Sequence, residues 1–160
     1  MDTKTKNTIF SSKSNEWTTP QDFYDKLNDK YEFTLDPCCT SVTKKCTKYY
    51  TEQDNGLSKD WAGETVFVNP PYGNVKEWIE KAAKEAETVN TKVVMLTPAR
   101  TDTRVWHDTV FSKAKEIYFV KGRLKFGEQS NSAPFPSAVI VFHNVRSPFI
   151  HYPVVGTMER

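Results

Sequence analysis

The sequence predicts an α/β fold in which a mostly parallel β-sheet carries helices on its faces and ends in an antiparallel β-hairpin. Short β-prone runs alternate with segments of helical periodicity through the middle of the chain. The run at 91–99, "TKVVMLTPA", is continuously apolar, as in strands buried on both faces of a parallel sheet. The last two predicted strands follow each other with no helix between them, which favours a hairpin.

The first half of the chain predicts one helix and three short strands. The helix spans residues 18–31, because Thr19 can cap it, Pro20 suits the first helical position, and Phe23 and Leu27 share one face. The strands are, in order, one in "EFTLDPCC" that stops at Asp36-Pro37, one around 46–50, and one in "ETVFVNPPY" that ends at Asn69.

The second half predicts two helices, three strands and a tail. Segment 75–89 has Trp78, Ile79 and Ala82 at helical spacing with charged residues opposite, and segment 102–114 also has the pattern of a helix. The strands are predicted at 91–99, 116–126 and 136–142, and a partly packed tail at 146–160.

Composition indicates one folded domain. The chain has 160 residues, of which 38% are hydrophobic and 26% charged, which excludes a disordered protein. We expect a single domain over residues 15–160, preceded by a flexible arm at 1–14. The formal net charge of +2 permits a nucleic-acid partner without requiring one. No apolar run approaches the roughly 20 residues of a membrane span and no secretory signal opens the chain, so we expect a cytoplasmic protein that binds no membrane.

Three cysteines, Cys38, Cys39 and Cys46, lie within nine residues of one another. Three thiolates could begin a zinc site, but structural zinc requires four ligands and none of the three histidines lies nearby in sequence. The odd number and the absence of a signal peptide favour reduced thiols. We therefore expect buried structural cysteines and no metal.

The stretch "VFVNPPYG" ends a buried strand in a stiff polar loop. Pro70 and Pro71 lack a backbone N–H and have a fixed φ, so neither a strand nor a helix continues through them. Asn69 and Tyr72 thus flank a turn at the carboxyl end of a strand, where open α/β sheets usually place their chemistry. An ordinary Asn-Pro turn with a surface tyrosine is the alternative interpretation.

Seven blocks, in this order, resemble the small phage-type N6-adenine DNA methyltransferase (Dam) family over about residues 15–143. They are "EWTTP", "LDPCC", "YYTEQDNGLSKDW", "VNPPYG", "LTPARTDT", "GRLKF" and "PFPSAVIVF". The resemblance implies a compact Rossmann-like methyltransferase that uses S-adenosyl-L-methionine (SAM) and acts on DNA. It also implies a phage or prophage enzyme that works in the cytoplasm of a bacterial host.

Two features depart from the usual methyltransferase pattern. No Gly-rich turn follows the first strand, since no glycine occurs before Gly56. The segment between that strand and "NPPY" also leaves little room for a full helix. We interpret both features as compaction of the fold.

The resemblance implies catalytic roles for Asn69, Pro70, Pro71 and Tyr72. The exocyclic nitrogen of adenine is a poor nucleophile, because its lone pair is delocalised into the ring. The Asn69 side-chain carbonyl and the Pro70 backbone carbonyl would accept its N–H groups and direct the lone pair at the methyl group. Tyr72 would stack on an extruded base, with Pro71 holding the ring in place. No strong general base is required.

Cofactor contacts are expected at both ends of the first half. The block around "TTP" resembles the one that contacts the methionine carboxylate of SAM, helped by the helix N-terminus behind it. Asp36 could meet the SAM amino group or be a turn residue, and Asp54 could bind the adenosine end or simply form the Asp-Asn-Gly turn. The predicted cofactor-binding residues are Trp17, Thr18, Thr19, Pro20, Asp36, Pro37, Cys38, Asp54 and Asn69.

DNA contacts are expected from basic residues just past two strands. Arginine and lysine there would bind phosphates, mostly without reading sequence, and the loop "GEQSNSAPFP" could probe bases. A solvated surface charge is the alternative for each of these residues. The predicted DNA-binding residues are Arg100, Arg104, Lys121, Arg123 and Lys125.

Other functions remain open at the level of sequence. The same chemistry could act on cytosine N4, on RNA adenine or on a protein glutamine, and a catalytically silent nucleic-acid-binding module could keep the same fold. The sequence allows a monomer or a homodimer.

Overall fold

The computed structural model describes residues 18–127, 132–144 and 153–160, so the predicted arm at 1–14 and Trp17 lie outside the described residues. The described chain forms a seven-stranded sheet in the order β2-β1-β3-β4-β6-β5-β7. The strands are β1 Leu35–Asp36, β2 Lys48–Tyr49, β3 Thr65–Val68, β4 Lys92–Pro98, β5 Glu116–Lys121, β6 Ser137–His143 and β7 Val154–Glu159.

The predicted mostly parallel sheet with an antiparallel hairpin is confirmed. Strands β2, β1, β3 and β4 pair in parallel, and β7 pairs in parallel with β5. Strand β6 runs antiparallel to both β4 and β5, and β5 and β6 form the hairpin. Consequently β1, β3, β4 and β5 all end at the same edge, called here the carboxyl edge.

Helices cover both faces of the sheet. They are α1 Gln21–Tyr31, α2 Val75–Glu85 and, after a π-helical turn at Trp106–Val110, the short α3 Phe111–Lys113. Side chains of β4 alternate between two cores, as expected for a strand buried on both faces. Val93 and Met95 pack into core 1 with residues of α2, whereas Val94 and Leu96 pack into core 2 with residues of α1.

The predicted start of the first helix is wrong by one residue. Pro20 is the N-cap of α1 and not its first helical residue, and its carbonyl accepts the Tyr24 N–H at 3.0 Å. Thr19 therefore precedes the cap and does not cap the helix as predicted. Its hydroxyl is hydrogen-bonded to Asn69, which removes it from the helix end.

Four other predicted elements differ in extent. Helix α2 ends at Glu85, four residues early, and β5 ends at Lys121 because Gly122 adopts a φ of +74°. Segment 102–114 is π-helical over Trp106–Val110. The predicted tail instead contains strand β7, whose pairing with β5 supplies the backbone partners.

The predicted compaction between β1 and β3 is confirmed. Residues 37–64, all of them described, contain only the two-residue strand β2 and a 3-10 turn at Gly56–Ser58. Among the described residues, no helix is both long and apolar enough to cross a bilayer.

Candidate active site

The loop Asn69–Tyr72 leaves β3 at the carboxyl edge. Val68 is fully buried, Asn69 is half-buried and Pro70 is buried, whereas Pro71 is exposed, so the chain reaches the surface as it turns. Pro71 has φ −64° and ψ 142°, and a 3-10 turn at Tyr72–Asn74 leads into α2. Two consecutive prolines hold this loop stiffly between a buried strand and a helix.

The Asn69 side chain is oriented by Thr19. Its amide nitrogen Nδ2 donates a hydrogen bond of 3.0 Å to the Thr19 hydroxyl, which is 4% exposed. In this contact the hydroxyl acts as the acceptor, so the amide nitrogen faces Thr19 and the amide oxygen faces away from it. The structure thus brings together two predicted site residues that are 50 positions apart.

Tyr72 packs against the β5–β6 connection. Its ring meets Phe135 edge-on, with the centroids 4.9 Å apart and an interplanar angle of 61°. Burial raises the pKa of the Tyr72 phenol well above its ordinary value, and the nearby charge of Arg100 offsets only part of this effect. The hydroxyl therefore stays protonated at neutral pH, which suits a stacking surface and not a base.

Asp36 is buried at the end of β1, and its carboxylate stabilises the loop that follows. The carboxylate is 2% exposed, and its two oxygens accept the N–H groups of Cys38 at 3.3 Å and Lys45 at 3.0 Å. Burial raises the pKa of this carboxyl, although these hydrogen bonds oppose the shift. The carboxylate thereby shapes residues 37–45, which include the predicted cofactor loop.

Asp54 lies apart from the Asn69 loop, in the turn after β2. Its carboxylate is exposed and accepts the backbone N–H and the hydroxyl of Thr51, at 2.8 and 3.0 Å. These hydrogen bonds lower the pKa of Asp54. The geometry is that of a turn-stabilising aspartate.

The Thr18–Pro20 segment reaches the carboxyl edge from the other side of core 2. Thr18 accepts the Gly127 N–H at 2.8 Å through its carbonyl, which joins this segment to the β5–β6 connection. Proline at the N-cap carries no side-chain acceptor for the first turn of α1. The Asp22 carboxylate accepts the Phe23 N–H at 2.9 Å instead, so one N–H of the first turn is already satisfied by an acidic side chain.

The predicted DNA-binding residues are all exposed, and the strand ends place them at the carboxyl edge. Arg100 follows β4, and Lys121 ends β5 with an ion pair of 3.5 Å to Glu159. The Arg123 guanidinium donates to the Ala133 carbonyl at 3.2 Å, so this side chain supports the connection between β5 and β6.

Alternate side chains anchor that connection, whereas the other described residues of the predicted probing loop, among them Ser132 and Pro134, are exposed. Leu124, Phe126, Ala133 and Phe135 are each at most 9% exposed and belong to core 2. The middle of the predicted loop, residues 128–131, lies outside the described residues.

The cysteines are free thiols packed around Asp36. Cys38 and Cys39 are half-buried, and burial, together with the Asp36 charge, raises the pKa of both thiols. Both thiols therefore stay protonated at neutral pH. Among the described residues, no group of three or more His, Cys, Asp or Glu could hold a metal ion.

Sequence reasoning missed one residue of this site and one of its contacts. Phe135, which contacts Tyr72, carried no signal beyond its place in the block "PFPSAVIVF". Thr19 was predicted as a helix cap and cofactor contact, not as a partner of Asn69. Both contacts join residues far apart in sequence, and an alternation pattern cannot reveal such pairs.

Sequence comparison identifies known proteins to which this chain is similar. A sequence model described as DNA N-6-adenine-methyltransferase (Dam) matches residues 6–158. A DNA N-6-adenine-methyltransferase of Haemophilus phage HP1 (strain HP1c1) is 29% identical over 146 residues, covering 86% of this chain and 84% of that protein. A DNA N-6-adenine-methyltransferase of Escherichia phage T1 is 30% identical over 110 residues, covering 68% of this chain and 45% of the phage protein. The putative methyltransferase YfdM of Escherichia coli (strain K12) is 34% identical over 64 residues, covering 36% of this chain and 70% of YfdM.

Proposed function

The chain belongs to the DNA N-6-adenine-methyltransferase (Dam) family, and from this premise we propose how its residues methylate adenine N6 in DNA. The methyl donor is SAM, and the target adenine is held out of the duplex against the Asn69–Tyr72 loop. The arrangement of this loop at the carboxyl edge, with its amide held by Thr19 and its aromatic ring against Phe135, carries the proposal.

Asn69 and Pro70 act as acceptors for the target amine. The Asn69 amide oxygen and the Pro70 carbonyl accept its two N–H groups and concentrate the lone pair on nitrogen. Since the prolines hold both acceptors before the substrate arrives, little reorganisation is needed in the transition state. Once the nitrogen has gained the methyl group, its proton is acidic and passes to water.

Tyr72 supplies the stacking surface for the extruded base. Its high phenol pKa keeps it neutral, and its contact with Phe135 restricts the angle of the ring. Stacking against an aromatic side chain accepts the base without a specific hydrogen bond.

The carboxyl edge also fits SAM, which supplies an electrophilic methyl group when bound. The backbone of Thr18, Thr19 and Pro20 is proposed to contact the methionine carboxylate, while the Thr19 hydroxyl serves Asn69. The backbone of Pro37 and Cys38, held by Asp36, would line the amino-acid end, with Trp17 and Asn69 beside it. Asp36 shapes this loop through the N–H groups that its two oxygens accept, and its remaining lone pairs are proposed to meet the SAM amino group. Asp54 remains the candidate for the adenosine end.

The exposed basic residues at the same edge bind the phosphates that flank the target base. Arg100, Arg104, Lys121 and Lys125 are proposed to contact DNA, and Arg123 supports the connection that carries Lys125. The two phage relatives support a phage-encoded enzyme that acts on DNA inside a bacterial host. Both relatives are named for adenine N6, so cytosine N4, RNA and protein targets are not proposed.

The experiment incubates the purified protein with unmethylated DNA and SAM, digests the DNA to nucleosides and measures N6-methyladenine by mass spectrometry. We expect product with the native protein and none with Asn69→Ala. Asn74→Ala is the matched control, since Asn74 makes no side-chain cap bond to α2 and should leave activity intact. A folded, SAM-binding native protein that forms no N6-methyladenine would contradict the proposal.

A further inference from the structure

We infer that Thr19 is a positioning residue for catalysis, which holds the Asn69 amide in the one orientation that can accept the target amine. This inference rests on the proposed function of Asn69. Its basis is the 3.0 Å hydrogen bond from Asn69 Nδ2 to the Thr19 hydroxyl, in a side chain that is only 4% exposed.

An asparagine at this place needs such a partner. The torsion at the end of an asparagine side chain has a broad, roughly two-fold preference, so the backbone alone does not choose between the two amide orientations. In one orientation the oxygen faces the amine and accepts its N–H. In the other, the amide NH₂ faces the amine, and two donors oppose each other. With its hydroxyl accepting from Nδ2, Thr19 holds the amide in the productive orientation.

Thr19 is itself held firmly enough for this role. The Thr18 carbonyl accepts the Gly127 N–H at 2.8 Å on one side, and the Pro20 carbonyl begins α1 by accepting the Tyr24 N–H at 3.0 Å on the other. Helix α1 is anchored in core 2 by Phe23 and Leu27. The backbone is therefore held on both sides of Thr19, and the Thr19 hydroxyl is not used as a helix cap.

A Thr19 hydroxyl that orients Asn69 and one that contacts SAM directly have different measurable effects. A hydroxyl that binds SAM affects the affinity for SAM. A hydroxyl that orients Asn69 affects the rate of methyl transfer and leaves the affinity for SAM unchanged. It also acts only while Asn69 is present.

The experiment compares Thr19→Val, which keeps the shape and removes the hydroxyl, with Thr19→Ser, which keeps the hydroxyl. Single-turnover methylation rates, SAM affinity by calorimetry and thermal unfolding are measured for each. We expect Thr19→Val to lower the rate about tenfold, equivalent to about 1.4 kcal/mol, with SAM affinity within about twofold of native. Thr19→Ser should restore the rate to within about threefold, and adding Thr19→Val to Asn69→Ala should produce no further loss.

A second readout does not depend on activity. In the native protein, the side-chain NH₂ signal of Asn69 in a ¹⁵N spectrum, identified by its loss in Asn69→Ala, should exchange slowly with water. Exchange should remain slow in Thr19→Ser and become fast in Thr19→Val. If native protein makes no N6-methyladenine, the proposed function fails, while this signal still tests the hydrogen bond.

Three results would overturn the inference. They are an unchanged rate in folded Thr19→Val, a loss of SAM affinity that accounts for the whole effect, and a loss additive with that of Asn69→Ala. If Thr19→Val does not fold, Thr19→Ala replaces it, with the same three results counting against the inference. The exchange of the Asn69 NH₂ with water is then compared between Thr19→Ala and Thr19→Ser.

Discussion

Gly56 lies against the backbone carbonyl of Pro37 so closely that a methyl group added to its α-carbon would come within 2.1 Å of that oxygen. The same methyl group would meet the ring of Trp78 at 3.1 Å. Pro37 belongs to the proposed cofactor loop after β1, and Gly56 begins the 3-10 turn that supports it from behind. The loop after β1 contains no glycine of its own, but the segment packed against it does, at Gly56.

Gly56→Ala is expected to displace the cofactor loop. The nearest obstacle is backbone and cannot rotate away, so the substitution should cost about 1–3 kcal/mol of unfolding free energy and weaken SAM binding. Urea denaturation and calorimetry with SAM measure the two effects. Gly73→Ala is the control, because a methyl group there would meet nothing within 4 Å. If Gly56→Ala kept the stability and the SAM affinity of the native protein, the loop would be able to move aside without cost, and the prediction would be wrong.

The elements with strong local signals were predictable from sequence. Phe23 and Leu27 lie on the buried face of α1 as predicted, and the apolar run of β4 is buried on both faces. Strand β7 was missed because its signal is weak. Val154 and Val155 are 62% and 57% exposed, and its order depends on pairing with the distant β5.

The site was predictable only in part, for the same reason. The stiffness of the Asn69–Tyr72 loop follows from its prolines, and this is a local property. The partners of that loop are not local, since Thr19 lies 50 residues before Asn69, and Phe135 lies on a connection from another part of the sheet. Local patterns indicated which residues are stiff, and tertiary packing determined which of them meet.

Tyr72→Ala is expected to lose far more activity than Tyr72→Phe. The ring provides stacking worth about 1–3 kcal/mol per base, which corresponds to about 5- to 150-fold in DNA affinity, whereas the protonated hydroxyl provides little. Fluorescence of 2-aminopurine at the target position reports the stacked base, and methylation rates report its consequence. Tyr49→Ala removes a half-buried tyrosine from the distant edge strand β2 and should have no effect on either measurement. Equal losses in the Phe and Ala variants would assign the role to the hydroxyl.

Removing one basic residue from the carboxyl edge should reduce the salt dependence of DNA binding. A side chain that contacts phosphate releases a counterion, so Arg100→Ala or Lys125→Ala should lower the slope of log K against log[salt] by about 1. Lys84→Ala is the charge-matched control. Lys84 is exposed in the last turn of α2, at the end of the helix that faces away from the Tyr72 loop. Equal slopes for Arg100→Ala and Lys84→Ala would show that Arg100 is only a solvated charge.

Glu64 should make the stability of the fold depend on pH in the acid range. Its carboxylate accepts hydrogen bonds from the Lys48 ammonium and the Thr34 hydroxyl, and so links the segments around β1, β2 and β3. Burial opposes ionisation, but these hydrogen bonds outweigh it and the pKa of Glu64 is lowered. Because the folded pKa lies below the unfolded one, the stabilisation is present above the ordinary glutamate pKa and is lost as pH falls through the folded value.

Glu64→Gln should therefore destabilise the protein at pH 7 and have progressively less effect in acid. Since Lys48 is half exposed, solvent screening limits the expected difference to about 0.5–1 kcal/mol at pH 7. Urea denaturation across a pH series measures it. Glu80→Gln is the control, because the Lys76–Glu80 pair is at least 50% exposed on both sides and should contribute little. A difference that persists unchanged as the pH falls through the folded pKa of Glu64 would assign the stabilisation to packing of the side chain and not to its charge, because the native carboxyl is then itself neutral.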